Sequence, residues 1–364
     1  MQTSSRKLLV VLIGLLLLGF VVYRFGGMIR HSEFSGTEML HAVRSANPYL
    51  LILSLIAIYV CYALRALRWK VFQENLGPSS FWNIYKMTLA GFSALQLLGR
   101  PGEPIRPFLL ARKEKLPVSG MFGVYLLERI FDFASTAVIG TIALLGFRAD
   151  AESSETARVL AKGAKPAAAF LVLGIIAAVA LLVYLRLHGA ALLERQLQGW
   201  LKEHGWRGRI ASIVIELARG VQAIRTWRDL ALASLYSALH WFLVLVIYLW
   251  VAKSFGGTLS SLGLSDAMLV LTVTLVGSML QLPGVGGGSQ AGSTGVYAKI
   301  FLVKTEAALA ASVVIWLITF AAVSLAGVPL LIHEGFSLGK LREMAEHEKE
   351  AAAEGVARQG EPAP

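Results

Sequence analysis

Seven apolar blocks dominate the chain, at residues 8–23, 49–64, 121–147, 167–187, 230–251, 267–282 and 307–332. A bilayer core needs roughly 17–25 apolar residues per helical span, because each residue advances about 1.5 Å and the hydrocarbon satisfies no backbone N–H or C=O. Several blocks meet that length outright, and the shorter ones extend through tolerant flanks. The pattern admits one class of fold, an all-α polytopic membrane protein, and leaves no long stretch of soluble-domain pattern. Composition agrees: 56% of the residues are hydrophobic and 16% charged, against about 45–50% and about 25% in soluble domains. The first block follows Arg6-Lys7 like the core of a signal peptide. Tyr23-Arg24-Phe25 offers no small-residue cleavage site, so the block reads as an uncleaved first span.

The formal charge of +11 could suggest nucleic acid, but the basic residues lie between the apolar blocks. That is the positive-inside pattern of a membrane protein, and no nucleic-acid partner is expected. The N-terminus, 65–81, 99–118 and 186–228 are rich in Lys and Arg and belong on the cytoplasmic side of an inner (plasma) membrane. The connections 24–47, 148–165 and 253–266 face outward, and both termini are cytoplasmic. Residues 1–335 form the membrane domain; 336–364 form a charged helix and a disordered tail. Within the domain, Ile210, Ile213, Val214, Leu217, Val221 and Ile224 recur at helical spacing. They mark a basic amphipathic helix, about 190–226, suited to the cytoplasmic interface.

The side assignment contains a conflict. Segments 65–81 and 99–118 share a side, yet 81–98 between them is largely apolar. A segment that enters the membrane and returns resolves this, and Gly99-Arg100-Pro101-Gly102-Glu103-Pro104 breaks any helix at its far end. The same conflict recurs where 267–282 runs into Pro283-Gly284-Val285-Gly286-Gly287-Gly288-Ser289-Gln290. Leu95-Gln96-Leu97-Leu98-Gly99 reads like Leu280-Gln281-Leu282-Pro283-Gly284, and Gly91 and Gly277 precede them. Entered from opposite sides, the two form an inverted repeat of broken re-entrant segments, a pointer to a transporter site. The plainer alternative is two hydrophilic turns between ordinary helices.

Charges inside spans are costly, about 2.5–3.5 kcal/mol each on insertion scales, and mark candidate sites. Glu128 and Asp132 share one helix face, while Arg129 points to another. Two carboxylates there need cationic partners or a proton. Arg100 and Arg106 on the neighbouring broken segment are the expected partners. Arg65 and Arg68 share a face at the end of the second span, with Trp69 at headgroup level. They read as interfacial positive charge or as a fork for phosphate. His240 and Trp241 read as packed residues of a span. The one cysteine, Cys61, permits no intrachain disulfide, and no metal-ligand spacing exists. The glycine run lacks the Lys-Ser/Thr of a nucleotide loop, and no catalytic constellation emerges. No cofactor, no metal and no enzymatic activity are expected.

Arg65-x-x-Arg68-Trp69, Pro101-Gly102-Glu103-x-x-Arg106, Glu128-Arg129-x-x-Asp132 and the Pro283 to Gly292 segment together resemble the flippase-like family. That family comprises the transmembrane region of lysylphosphatidylglycerol synthase and its stand-alone relatives. The resemblance covers about residues 5–335. It implies translocation of a phospholipid or lipid-linked headgroup between leaflets, with anionic or phosphate-bearing membrane lipids as partners and room for a homo-oligomer. The soluble aminoacylating domain of the synthases has no counterpart in this sequence, so their lipid-modifying activity is not implied. The candidate substrate-binding set is Arg65, Arg68, Arg100, Gly102, Glu103, Arg106, Glu128, Arg129, Asp132, Pro283, Gly286, Gly287 and Gln290. Gln290 departs from the family, which often carries glutamate there. The rival readings are a membrane-embedded lipid-linked glycosyl or headgroup transferase and a non-transporting scaffold.

The re-entrant reading is testable by sidedness. Single cysteines at Ser79 and at Ser119, in a Cys61→Ala background, should react with an impermeant maleimide from the same face. Labelling from opposite faces would mean that 81–98 crosses the membrane.

Overall fold

The computed structural model describes residues 35–99, 102–149, 153–201, 205–221, 224, 226–282 and 286–335. The first apolar block, Arg100, Pro283 and the tail 336–364 lie outside the described residues. The described chain is helical almost throughout, in the order α1 (Gly36–Ser45), α2 (Pro48–Gln73), α3 (Phe81–Leu98), α4 (Ile105–Glu114), α5 (Val118–Gly146), α6 (Glu155–Leu201), α7 (Trp206–Val221), α8 (Trp227–Ser254), α9 (Leu264–Gly277), α10 (Gly288–Lys299) and α11 (Thr305–His333). Five of these are long and apolar enough to cross a bilayer: α2, α5, the Glu155–Leu181 part of α6, α8 and α11. The protein is a multi-pass membrane protein.

Local chemistry sets the helix starts. The Asn47 side chain accepts the Tyr49 N–H while Pro48 occupies the first turn of α2, where a missing N–H costs nothing. Thr226 and Asp229 cap α8 reciprocally. α6 runs on unbroken for 47 residues, so the amphipathic segment predicted over about 190–226 divides between the end of α6 and α7. The apolar face of α7, with Ala211 and Ile215 buried, packs on α5 and α6.

Two segments double back. After α3, Gly99 adopts φ +72 and α4 returns along α3. The Ser80 N–H at the start of α3 donates to the Glu114 carboxylate at the end of α4, 3.2 Å away. The second segment is α9, a tight turn at Ser278–Leu280, a small antiparallel hairpin of β1 (Gln281–Leu282) and β2 (Gly286–Gly287), and then α10. Residues from the start of α9, Ser265 and Asp266, line one cavity with Ile300 and Phe301, just past α10. The bases of the two segments lie at opposite ends of α5. Gly120 faces Leu76 beside the first, and Gly146 faces Ser265 beside the second.

Both returns depend on glycine. A Cβ on Gly102 would lie 2.4 Å from the Ala94 carbonyl oxygen, and one on Gly91 would lie 2.4 Å from Cβ of Arg106. In the second segment a Cβ on Gly277 would lie 2.2 Å from the Gly288 oxygen, and one on Gly288 would lie 2.1 Å from the Gly277 oxygen. These obstacles are backbone or the stem of a fixed side chain, so they cannot swing aside.

Gly102→Leu and Gly288→Leu should therefore each lower the melting temperature and the monodisperse yield in detergent, with overpacking costs of about 1–3 kcal/mol or more. At Gly163 a Cβ would meet nothing within 4 Å. That position is the control, and Gly163→Leu should behave like wild type.

Candidate functional site

Four helices converge on one buried ion cluster. α2 presents Arg65 and Arg68 three residues apart, α4 presents Arg106, α5 presents Glu128, Arg129 and Asp132, and α8 presents Ser237, His240 and Trp241 at helical spacing. Arg65, Arg68, Arg106, Glu128 and Asp132 are buried, with Glu128 wholly inaccessible. Arg68 Nη2 donates to Glu128 at 2.8 Å and to Asp132 at 2.9 Å. Arg65 Nη1 donates to Glu128 at 3.1 Å and to Asp132 at 3.2 Å. Arg106 closes on both oxygens of Glu128 through its two terminal nitrogens. Asp132 also accepts from the Trp241 indole at 3.3 Å, and Arg68 Nη1 donates to the Ser237 hydroxyl at 2.9 Å. Aromatic faces complete the shell: the Arg106 guanidinium lies 4.5 Å from the Trp69 ring centroid and 4.8 Å from that of Phe92, with Arg65 at 4.9 Å from Phe92.

Some sequence expectations change here. Arg106 does pair with Glu128, but Arg65 and Arg68 are partners too, which side assignment hid. α2 continues past them to Gln73, and Trp69 is fully buried under Arg106. Arg129 leaves the shared face as expected yet bends back, its terminal nitrogen 3.6 Å from Glu128 and 3.9 Å from Asp132. Its side chain remains 38% exposed. Ser237, His240, Trp241, Phe92 and Tyr125 were missed as site residues. The one available signal was the polar stripe Ser237–His240–Trp241 in an otherwise apolar span.

Arg129 opens onto a narrow cleft between α3, α4 and α5, lined by Phe92, Leu95, Glu103, Arg106 and Tyr125. The Tyr125 hydroxyl donates to the Glu103 carboxylate. Among the described residues, three ion-paired guanidiniums meet two carboxylates in the interior, and Arg129 and Glu103 add one charge of each sign at the cleft. One positive charge is left over. At the other end of α5 a cavity of about 330 Å³ is lined by Arg148, Ser153, Ser265 and Asp266 together with apolar residues. Gly102 sits at the break behind Glu103. Gly286, Gly287 and Gln290 belong to a different arrangement at the turn of the second segment. There the side-chain carbonyl of Gln290 accepts the Gly287 N–H at 2.7 Å and the Ser289 hydroxyl at 2.8 Å.

A helical multi-pass protein, with doubled-back segments and a positively biased ion cluster beside a cleft, is the class these features define. The chain belongs to the family described as the lysylphosphatidylglycerol synthase TM region, whose model matches residues 8–327. No curated protein and no solved structure matches it.

Removing one partner of a buried pair typically costs about 3–5 kcal/mol, because the other charge stays buried without compensation. Glu128 accepts hydrogen bonds from three arginines and Asp132 from two. Glu128→Gln should thus lower the melting temperature more than Asp132→Asn. Equal or reversed effects would show that Glu128 is not the anchor of the cluster.

Proposed function

We propose that the protein is a lipid transporter that moves a phosphate-bearing headgroup between the leaflets of the cell membrane. The uncompensated guanidinium charge beside the cleft carries this reading. A phosphate is the anion that planar guanidinium forks recognise best, and in a membrane the abundant phosphate bearer is a lipid. Arg129 at the cleft would meet the headgroup first. Arg65 and Arg106 would then share their donors between Glu128, Asp132 and the phosphate, so that neither the protein's charges nor the lipid's are left bare in a low-dielectric interior. The acyl chains would stay in hydrocarbon outside the cleft.

The fold supports a path as well as a site. We read the two doubled-back segments as re-entrant from opposite faces, which makes the halves an inverted pair. The polar cavity at the Gly146 end of α5 then lies toward the other leaflet. Arg129 and Gly146, the last residue of α5, are separated by about 26 Å along the helix axis at 1.5 Å per residue, close to the roughly 30 Å of hydrocarbon that a headgroup must cross. In this reading the cluster faces the cytoplasmic side of the plasma membrane, where both termini lie. Anionic membrane lipids are the partners, and the protein performs no covalent chemistry.

Purified protein in liposomes containing fluorescent phosphatidylglycerol tests this. Dithionite should reach the inner-leaflet fluorophore faster than in protein-free vesicles, with the mass of the lipid unchanged. Arg129→Gln should slow that movement about tenfold, the size of one lost charged hydrogen bond. Its melting temperature should stay near wild type, because its side chain is partly exposed. A change in lipid mass would instead identify a transferase, and neither movement nor modification would leave a scaffold.

A further inference from the structure

His240 takes no part in the proposed transport path, yet its surroundings define its state completely. It is buried on α8 with 3% exposure. Its Nδ1 lies 3.3 Å from the carbonyl oxygen of Cys61, and its Nε2 lies 3.1 Å from Nε of Arg65. A carbonyl can only accept, so Nδ1 carries the hydrogen. A guanidinium can only donate, so Nε2 presents its lone pair. The imidazole is held in one neutral tautomer, with each ring nitrogen committed.

The consequence falls on Arg65. Its Nε donates to His240, and its Nη1 donates to Glu128 and Asp132. Nη2 has no hydrogen-bond or ion-pair partner among the described residues. The fork is therefore fixed along one edge by the imidazole and at one terminal nitrogen by two carboxylates, with its last two N–H groups free. Arg68, by contrast, uses both terminal nitrogens, on Ser237 and on the carboxylates. Arg106 uses both on Glu128. Arg65 is the buried arginine with a terminal nitrogen to spare, and Phe92 and Trp241 flank its plane at 4.9 Å and 5.9 Å from the ring centroids.

We propose that His240 is a positioning residue. Its Nε2 lone pair sets the rotation of the Arg65 guanidinium so that Nη2 remains available to a phosphate oxygen. This rests on the proposed phosphate site, whose cleft is walled by Arg106 and Arg129, and adds to it that Arg65, joined to Arg106 through Glu128, also donates to the phosphate and that His240 aims it. Without the imidazole acceptor, Nε of Arg65 would seek another partner in an interior where the carboxylates are the nearest acceptors. The guanidinium would turn toward them and withdraw Nη2.

A double-mutant cycle on binding tests this apart from transport. Binding of the water-soluble lipid dihexanoyl phosphatidylglycerol to the full-length protein in detergent is followed by tryptophan fluorescence, and inorganic phosphate is titrated in parallel. His240→Leu should raise Kd for the short lipid about tenfold, the equivalent of one charged hydrogen bond. His240→Gln, whose side-chain oxygen restores an acceptor near Nε of Arg65, should recover most of that loss. In an Arg65→Gln background, His240→Leu should change Kd no further, because a residue that acts only through Arg65 has nothing left to act on. Additive losses, failure of Gln to outperform Leu, or a wild-type protein that binds neither probe would overturn the proposal. Tighter binding of inorganic phosphate than of the diester would overturn the lipid assignment. If the cycle closes as expected while wild-type liposomes move no lipid, transport fails and the positioning role stands. If lipid moves and the losses add, the reverse holds.

Discussion

The interaction on which the rest of the structure depends is the bond set around the Glu128 carboxylate. Two oxygens, wholly inaccessible, take hydrogen bonds from Arg65, Arg68 and Arg106, which arrive on two other helices. A carboxylate or a guanidinium alone in hydrocarbon is costly, and mutual attraction offsets that cost only with near-ideal geometry and the remaining donors satisfied. This requirement dictates the neighbourhood. Ser237 and Trp241 occupy donor and acceptor positions that the ion pairs leave over, and aromatic faces cover the guanidinium planes. α4 must return toward α5 at the height that brings Arg106 onto Glu128, and the bare backbone at Gly91 allows Arg106 to pass that close to α3.

The second doubled-back segment solves a similar packing problem without charge. Gly277 and Gly288 meet backbone to backbone, and hydroxyl groups replace the ion pairs: Ser289, Ser293 and Thr294 are buried along α10. The first doubled-back segment thus meets charged partners and the second neutral ones. The apolar core falls into two clusters, one around α3, α4 and the first half of α5 and another around α8 to α11. α5 touches both, and the cleft and the larger cavity flank its opposite ends.

The membrane class and the spans after the first block were legible because bilayer thickness imposes a length on apolar sequence. The breaks at Gly99 and at the later glycine run were legible because Gly and Pro act locally. What sequence could not reveal were the partners. Arg65 and Arg68 look like interfacial charge when only their own helix is considered, since spacing reports a shared face but not what that face meets. Nor does spacing reveal that Arg106 lies over the Trp69 ring. Ser237 and His240 became visible only when α8 was brought against α2, a contact between segments separated by about 170 residues in the chain. The amphipathic region divides between two helices because α6 does not stop where its apolar stretch stops.

The pairing of Arg65 and Arg68 with Glu128 also sets an order on biogenesis. The arginines precede their carboxylate by 63 and 60 residues. At about 5–20 residues per second of synthesis, α2 is made several seconds before α5 exists. During that interval two cations destined for the interior have no counter-charge, at a cost of up to about 2.5–3.5 kcal/mol each on insertion scales. Arginine side chains this near a helix end can reach toward interfacial water in the meantime. Arg65 and Arg68 therefore gain their carboxylates only once α5 has been made, and α8, later still, closes the last side.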